Sequence, residues 1–301
     1  MARAPVLARF VPENGPPLPS ENRSSPGIIL RTPFGHASLM CAAAKTPLKA
    51  DGWEPIADPE GQYSTGISDF DRLLAGGFRC GSFALFSMDE SVGPEDLDLL
   101  LFPTFLNTLY HSRGIIAVLP SRDSPHAFRA RMTRYVTRRR FDSRVRIVDY
   151  VGEDEGPPYV VNLASQSSEP SRILTSEKGR KAAIAKMVEA ERVVQGGRKK
   201  TFLEFTSFEV FETLLGVDRA LKMFFYGIKR TRAVGNLGIG LLGPGLRCSA
   251  GVRRLVDAEF ELHRGEVGLI IRGIRPPFSS YVVTGDLHAG PPHVAFVPQP
   301  S

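Results

Sequence analysis

From residue 63 onward, short apolar runs alternate with longer amphipathic stretches. Phe83-Ala84-Leu85-Phe86 is a continuous apolar run of the kind a strand buried on both faces shows. Leu97 to Tyr110 has a leucine-rich face and predicts a helix, with a break or restart near Pro103. Gly114 to Leu119 and Val145 to Asp149 predict two more buried strands, with a helix opening at Ser124-Pro125 between them. Residues 152–176 read as an irregular insertion rich in glycine, serine and proline. A helix over Glu177 to Val194 ends at Gly196-Gly197. Then come a strand at Thr201 to Phe205, a helix over Phe208 to Tyr226 and a strand at Gly238 to Leu242. Two late runs, Glu259 to Leu262 and Val267 to Ile271, read as a hairpin, and Tyr281 to Thr284 as a closing strand. Strands alternating with helices predict a mostly parallel sheet covered on both faces, with an antiparallel hairpin last.

Three parts follow: a Pro/Gly-rich N-terminal arm over 1–62, a core over 63–290 and a tail over 291–301. The arm has few periodic apolar positions and reads as extended or disordered chain.

The most informative stretch is Ser64 to Asp98. Thr65-Gly66-Ile67, Asp71-Arg72-Leu73-Leu74, Gly76-Gly77 and Gly81-Ser82 resemble the opening of the core domain in RecA-superfamily ATPases, most of all its KaiC-like branch. The resemblance covers about Tyr63 to Asp286 as one copy. It implies a RecA-like P-loop NTPase fold, α/β in class, that assembles into rings or filaments. In that family the run leads into G-x-x-x-x-G-K-[ST], whose backbone N–H groups and lysine hold phosphates.

This chain instead reads Ser87-Met88-Asp89-Glu90-Ser91-Val92-Gly93-Pro94-Glu95-Asp96. No lysine stands where the family needs one, Pro94 lacks a backbone donor, and Asp89, Glu90, Glu95 and Asp96 set negative charge where a triphosphate would lie. Like charges about 4 Å apart repel by roughly 1 kcal/mol in water and by several times that near a protein surface. The family's water-polarising acids, often Glu-Glu before Ser-Pro, correspond to Arg122 and Asp123, and a guanidinium cannot take a proton from water. The metal-orienting aspartate at a strand end corresponds to Glu204, one methylene longer, against the strict octahedron of Mg²⁺. Arg272 and Arg275 lie near the family's final basic pattern without its spacing. These departures predict a pseudo-ATPase with no catalytic residues, no cofactor and no metal.

Net charge is +6 and the pI about 9.3. Arg129, Arg131, Arg134, Arg138, Arg139, Arg140, Arg144 and Arg146 crowd one predicted helix and the strand after it, with Arg131, Arg134 and Arg138 at one-face spacing. Arg198-Lys199-Lys200 and Lys229-Arg230-Thr231-Arg232 are further clusters. Such clusters suit a polyanion such as nucleic acid if they share a surface, and otherwise are solvated faces.

Other chemistry is disfavoured. Cys41, Cys80 and Cys248 are scattered, and the histidines lack ligand spacing, which argues against disulfides and zinc. Gly235 to Gly240 precedes a strand, unlike a dinucleotide fingerprint. No apolar run approaches the roughly 18 residues of a membrane span, and the first residues lack a sustained apolar core, so a cytoplasmic location is expected. The leading reading is a catalytically inactive KaiC-like scaffold or regulator, partnered by its own kind or by an active KaiC/RecA-like paralogue. The resemblance includes clock, motility and gas-vesicle regulators. The alternatives are a DNA-binding recombinase-paralogue-like protein and a residual ATPase with a remodelled loop.

Overall fold

The structure is a computed structural model that describes residues 53–150, 156–163, 176–196, 201–287 and 292–299. The arm up to residue 52, most of the predicted insertion, Arg198, Lys199 and Lys200 lie outside the described residues.

The elements run β1 (Gln62–Tyr63), α1 (Ser68–Leu73), β2 (Phe78–Arg79), β3 (Phe83–Met88), α2 (Pro94–Tyr110), β4 (Gly114–Val118), α3 (Pro125–Met132), α4 (Arg138–Arg144), β5 (Val145–Asp149) and β6 (Val160–Asn162). They continue with α5 (Glu177–Gln195), β7 (Phe202–Ser207), α6 (Phe208–Leu215), α7 (Val217–Val234), β8 (Leu237–Leu242), α8 (Ser249–Leu255), β9 (Ala258–Gly265), β10 (Gly268–Arg275), β11 (Pro277–Asp286) and β12 (His293–Pro298). Ten strands form one sheet in the order β12-β11-β10-β9-β3-β8-β7-β4-β5-β6, and β1 pairs with β2 apart from it. The seven strands from β9 to β6 are parallel, and β10, β11 and β12 are added antiparallel.

Alternation along each strand builds two cores. Ala84, Phe86, Leu203 and Phe205 face a core completed by Leu97, Leu101, Phe102 and Phe105 of α2 and Phe128 of α3. Phe83, Leu85 and Phe202 face the other, completed by Ala183 of α5, Phe208 of α6 and Phe224 and Ile228 of α7. The glycines of β8 make room for aromatic rings. A Cβ at Gly238 would lie 2.1 Å from the Phe83 ring, and one at Gly240 would lie 2.3 Å from that of Phe208. Packing, not phosphate binding, accounts for that glycine-rich run.

The loop before α1 fixes α2. The buried Asp71 carboxylate accepts from the Ser64 hydroxyl at 2.5 Å and the Thr65 N–H at 2.7 Å. Gly66, at φ +76, lies so close to α2 that a Cβ would sit 2.5 Å from the Pro103 carbonyl oxygen. Thr104 donates to the Thr65 carbonyl at 2.7 Å, and Asn107 donates to those of Ile56 and Ser64. The motif around Thr65 and Asp71 is thus a clamp on α2.

Several expectations are corrected. α2 starts at Pro94 and passes Pro103 without a break. The predicted helix over Phe208 to Tyr226 is two helices, divided at Gly216 with φ +72, and the second extends to Val234. The hairpin turns at Glu266-Val267, and residues 293–298, assigned to a tail, form the edge strand β12. Residues 53–62, assigned to the arm, reach the core through the Ile56 carbonyl and through Asp58, which pairs with Arg113.

Asp71→Ala leaves two buried donors without an acceptor and should cost about 2–4 kcal/mol. The expected readout is a lower urea midpoint with an unchanged denaturant slope.

Candidate functional site

In the parallel sheet, β3 ends against the first turn of α2, and the two are joined by residues 89–93. A helix N-terminus offers unpaired N–H groups and a partial positive charge, an anion seat in many α/β proteins. Here the chain's own carboxylate engages that end. Asp96, buried in the first turn, accepts from the Gly93 N–H at 2.9 Å through one oxygen. Its other oxygen accepts from the Arg264 guanidinium of β9 at 2.6 Å. Gly93 is extended at φ −87, and Pro94 takes the first helical position, where no donor is needed.

The rest of the loop is closed by similar contacts. Asp89 accepts from the N–H of Ser91 at 2.9 Å and from its hydroxyl, and the Ser91 oxygen accepts from the Arg264 N–H at 2.9 Å. Glu90 and Glu95 are exposed. Ser87, at the end of β3, is buried, and its hydroxyl has no hydrogen-bond partner among the described residues. Arg122, just beyond β4, reaches over the loop and donates to the Val92 carbonyl at 3.3 Å.

Asp123 is held by Arg131 in a two-pronged pair at 3.0 and 2.6 Å. Ser124 caps α3, accepting from the Ala127 N–H at 3.1 Å. Arg131 also sets Nε 2.6 Å from an oxygen of Asp98 on α2, an ion contact without hydrogen-bond alignment. Burial opposes the charge on Arg131, but its bonds to Asp123 and the charges of Asp98 and Asp123 prevail, and its pKa rises. One guanidinium cannot fully compensate two carboxylates. Burial chiefly, eased by Arg131 and reinforced by Asp123, pushes Asp98 up to about 7. Asp98, Asp123 and Arg131 border a small cleft lined by Leu97, Leu101, Phe102, Phe105, Phe128 and Phe205.

Glu204 is not part of this assembly. It projects from mid-β7, alternating with Leu203 and Phe205, which face the α2 core, and it reaches α7. Its carboxylate accepts from Thr231 and from Asn236, both at 2.9 Å, and burial raises its pKa against those two hydrogen bonds. The strand's alternation turns Glu204 toward α7, away from the β3–α2 loop. Arg275 is likewise engaged elsewhere, donating to the Val256 and Arg253 carbonyls, while Arg272 is exposed.

These side chains do not fit a magnesium triphosphate. The helix end is engaged by Asp96, the nearby cations Arg122 and Arg264 are tied to the loop itself, and Glu204 is on the other face of the sheet. In the sequence Asp96 reads only as a loop charge, and neither Arg264 nor Asp98 stands out. Pro94 followed by Glu95 and Asp96 is a readable helix-start signal, with proline at the first helical position and acids in the first turn. No local signal marks Arg264, which meets α2 only through sheet pairing.

The arginine run is also redistributed. It breaks into α3 and α4 across residues 133–137, so Arg131, Arg134 and Arg138 do not share a helical face. Arg129 pairs with Asp142 through two contacts of 2.9 Å, Arg144 donates to the Ser112 carbonyl, and Arg146 donates to those of Asp142 and Val145. Arg134, Arg138, Arg139 and Arg140 remain exposed. Arg230 pairs with Glu191, and Arg232 pairs with Asp257.

A carboxyl whose pKa is raised in the folded state binds its proton more tightly there than in the unfolded chain. Its contribution to stability is therefore fully present below pH 4 and is lost as pH rises toward 7. For Asp98 the loss should be roughly 2–4 kcal/mol. Asp98→Asn should flatten that part of the stability–pH curve, measured by urea unfolding at stepped pH.

Comparison with known proteins agrees with this architecture. Residues 52–176 match the family described as GvpD basic region 2. Protein GvpD2 of Halobacterium salinarum is 23% identical over 231 residues, across 74% of this chain and 44% of that protein. Protein GvpD1 of the same organism is 28% identical over 104 residues, across 34% of this chain and 19% of that protein. The chain thus spans less than half the length of the curated relatives it matches. Among solved structures, a KaiC-like protein from Pyrococcus horikoshii OT3 superposes with a TM-score of 0.50 at 13% identity, covering 79% of this chain and 99% of that one. The described core therefore has the KaiC-like RecA fold, with a mostly parallel sheet and antiparallel strands at its C-terminal end.

Proposed function

We propose that this chain is a regulatory protein that keeps the KaiC-like RecA fold without nucleotide turnover and acts by assembly, with copies of itself or with an active paralogue. One observation carries the reading: the Asp96 carboxylate, neutralised by Arg264, engages the end of α2 that would otherwise attract phosphate. A triphosphate there would have to displace Asp96 and then lie beside Asp89, Glu90 and Glu95 with no lysine to compensate. Arg122 adds to this, because a guanidinium tied to the Val92 carbonyl cannot activate water. Loss of a single charge stabiliser commonly costs two to three powers of ten in rate, about 3–4 kcal/mol of barrier. Several such losses together leave no useful hydrolysis.

The likeness to GvpD proteins supports a regulatory role, and among the regulators of the KaiC-like branch it favours those of gas vesicles. Assembly is the mode of action the fold supports best. Among the described residues it leaves the β12 edge of the sheet without a further strand and apolar side chains exposed on two helices, Ile184 and Val188 of α5 and Phe225 and Tyr226 of α7.

Two measurements test this. A ligand at 100 times its dissociation constant would add about 2.7 kcal/mol. Mg-ATP should therefore leave the thermal midpoint unchanged and release no phosphate; stabilisation with turnover would refute inactivity. Light scattering without nucleotide should show a defined multimer, or a partner should co-purify in stoichiometric amount. A monomer that captures nothing would refute assembly.

A further inference from the structure

Between residues 125 and 146 the chain carries eight arginines against a single aspartate, Asp142. This excess is larger than the +6 net charge of the whole chain, so the basic character is local and not a general richness in arginine. The fold then divides the eight. Arg129 takes Asp142, Arg131 takes Asp98 and Asp123, and Arg144 and Arg146 are engaged with backbone carbonyls. Arg134, Arg138, Arg139 and Arg140 stay on the surface; Arg134 feels the charge of Asp98, and among the described residues no acidic side chain forms an ion pair with Arg138, Arg139 or Arg140. Arg140 lies over the Tyr110 ring, 4.6 Å from its centroid.

Crowding like charges on α4 is unfavourable by itself. The nearby acids Asp142, Asp98 and Asp123 are already paired with Arg129 and Arg131, and these four side chains lie outside the buried core. The arrangement is one that a polyanion would relieve. We propose that Arg138, Arg139 and Arg140, with Arg134 beside them, bind the phosphate backbone of single-stranded nucleic acid. Guanidinium forks match phosphate geometry, and an arginine stacked on an aromatic ring offers a platform to an unstacked base. A helix of seven residues spans about 10 Å, which suits a few successive phosphates of one strand better than the two rails of a duplex. The surface is carried by α4, apart from the β3–α2 loop, so it works without nucleotide.

The test is fluorescence anisotropy of a labelled oligothymidylate of about thirty nucleotides with the full chain, in rising salt. Three or four phosphate contacts predict a log–log salt slope of about −2 to −3, a fall in affinity of roughly 20- to 50-fold between 50 and 200 mM salt. Changing Arg138, Arg139 and Arg140 together to Ala should abolish binding with the circular dichroism spectrum unchanged. Each single alanine should shallow the slope by about 0.7, which keeps the test available if the triple variant does not fold. Arg131→Ala should lower thermal stability and leave the slope unaltered. No binding at 50 mM salt, or a folded triple variant that binds like the parent, would overturn the proposal. So would displacement by duplex DNA or by poly-glutamate at equal charge, since either would assign the surface to a different partner.

Discussion

Asp96 is bound from two sides, by the Gly93 N–H at the start of α2 and by the Arg264 guanidinium of β9. Helix α2 covers one face of the central sheet, so whatever sits at its first turn governs access to the end of β3. A charge-assisted pair at 2.6 Å in a half-buried setting is stronger than a neutral hydrogen bond. It also links the β3–α2 loop to the antiparallel part of the sheet, and Ser91 repeats that link through the Arg264 N–H. The loop therefore closes on itself through side chains and strand partners.

A second constraint works from the opposite end of α2. Asp71, Ser64, Thr65 and Gly66 form a hydrogen-bonded clamp against Pro103, Thr104 and Asn107. The second turn of α2 is held as well, because Asp98 meets Arg131 of α3. Burial of Asp98 carries an electrostatic cost that Arg131, shared with Asp123, only partly offsets, so the Asp98 carboxyl is pushed up. The fold thus keeps the superfamily's framework and uses polar contacts within the chain around the pocket mouth.

The arginines show how a charge cluster is sorted by tertiary structure. In sequence, eight of them look equivalent. In the fold, half are consumed by acids or carbonyls and half are presented to solvent. The turn at residues 133–137 causes the division, because it ends α3 and restarts the chain in α4 with a different facing. Spacing rules for one helix do not carry across such a break.

By itself, the sequence determined the order of the main buried strands and the helices between them, the parallel core and the acidic, lysine-free make-up of residues 87–96. Continuous apolar runs, glycine stops and the residues around Thr65 and Asp71 are local signals, and local signals survive in one dimension. Tertiary structure alone decided where the charges go. Glu204 belongs to α7 and not to a metal position because a strand's period of two turned it to the far face. Arg264 reaches Asp96 from 168 residues away because sheet pairing brings β9 beside β3. The edge strand β12 forms only because β11 offers it a hydrogen-bonding partner. Each of these outcomes depends on which residues meet across the sheet, and that is set by packing, which no stretch of chain encodes alone.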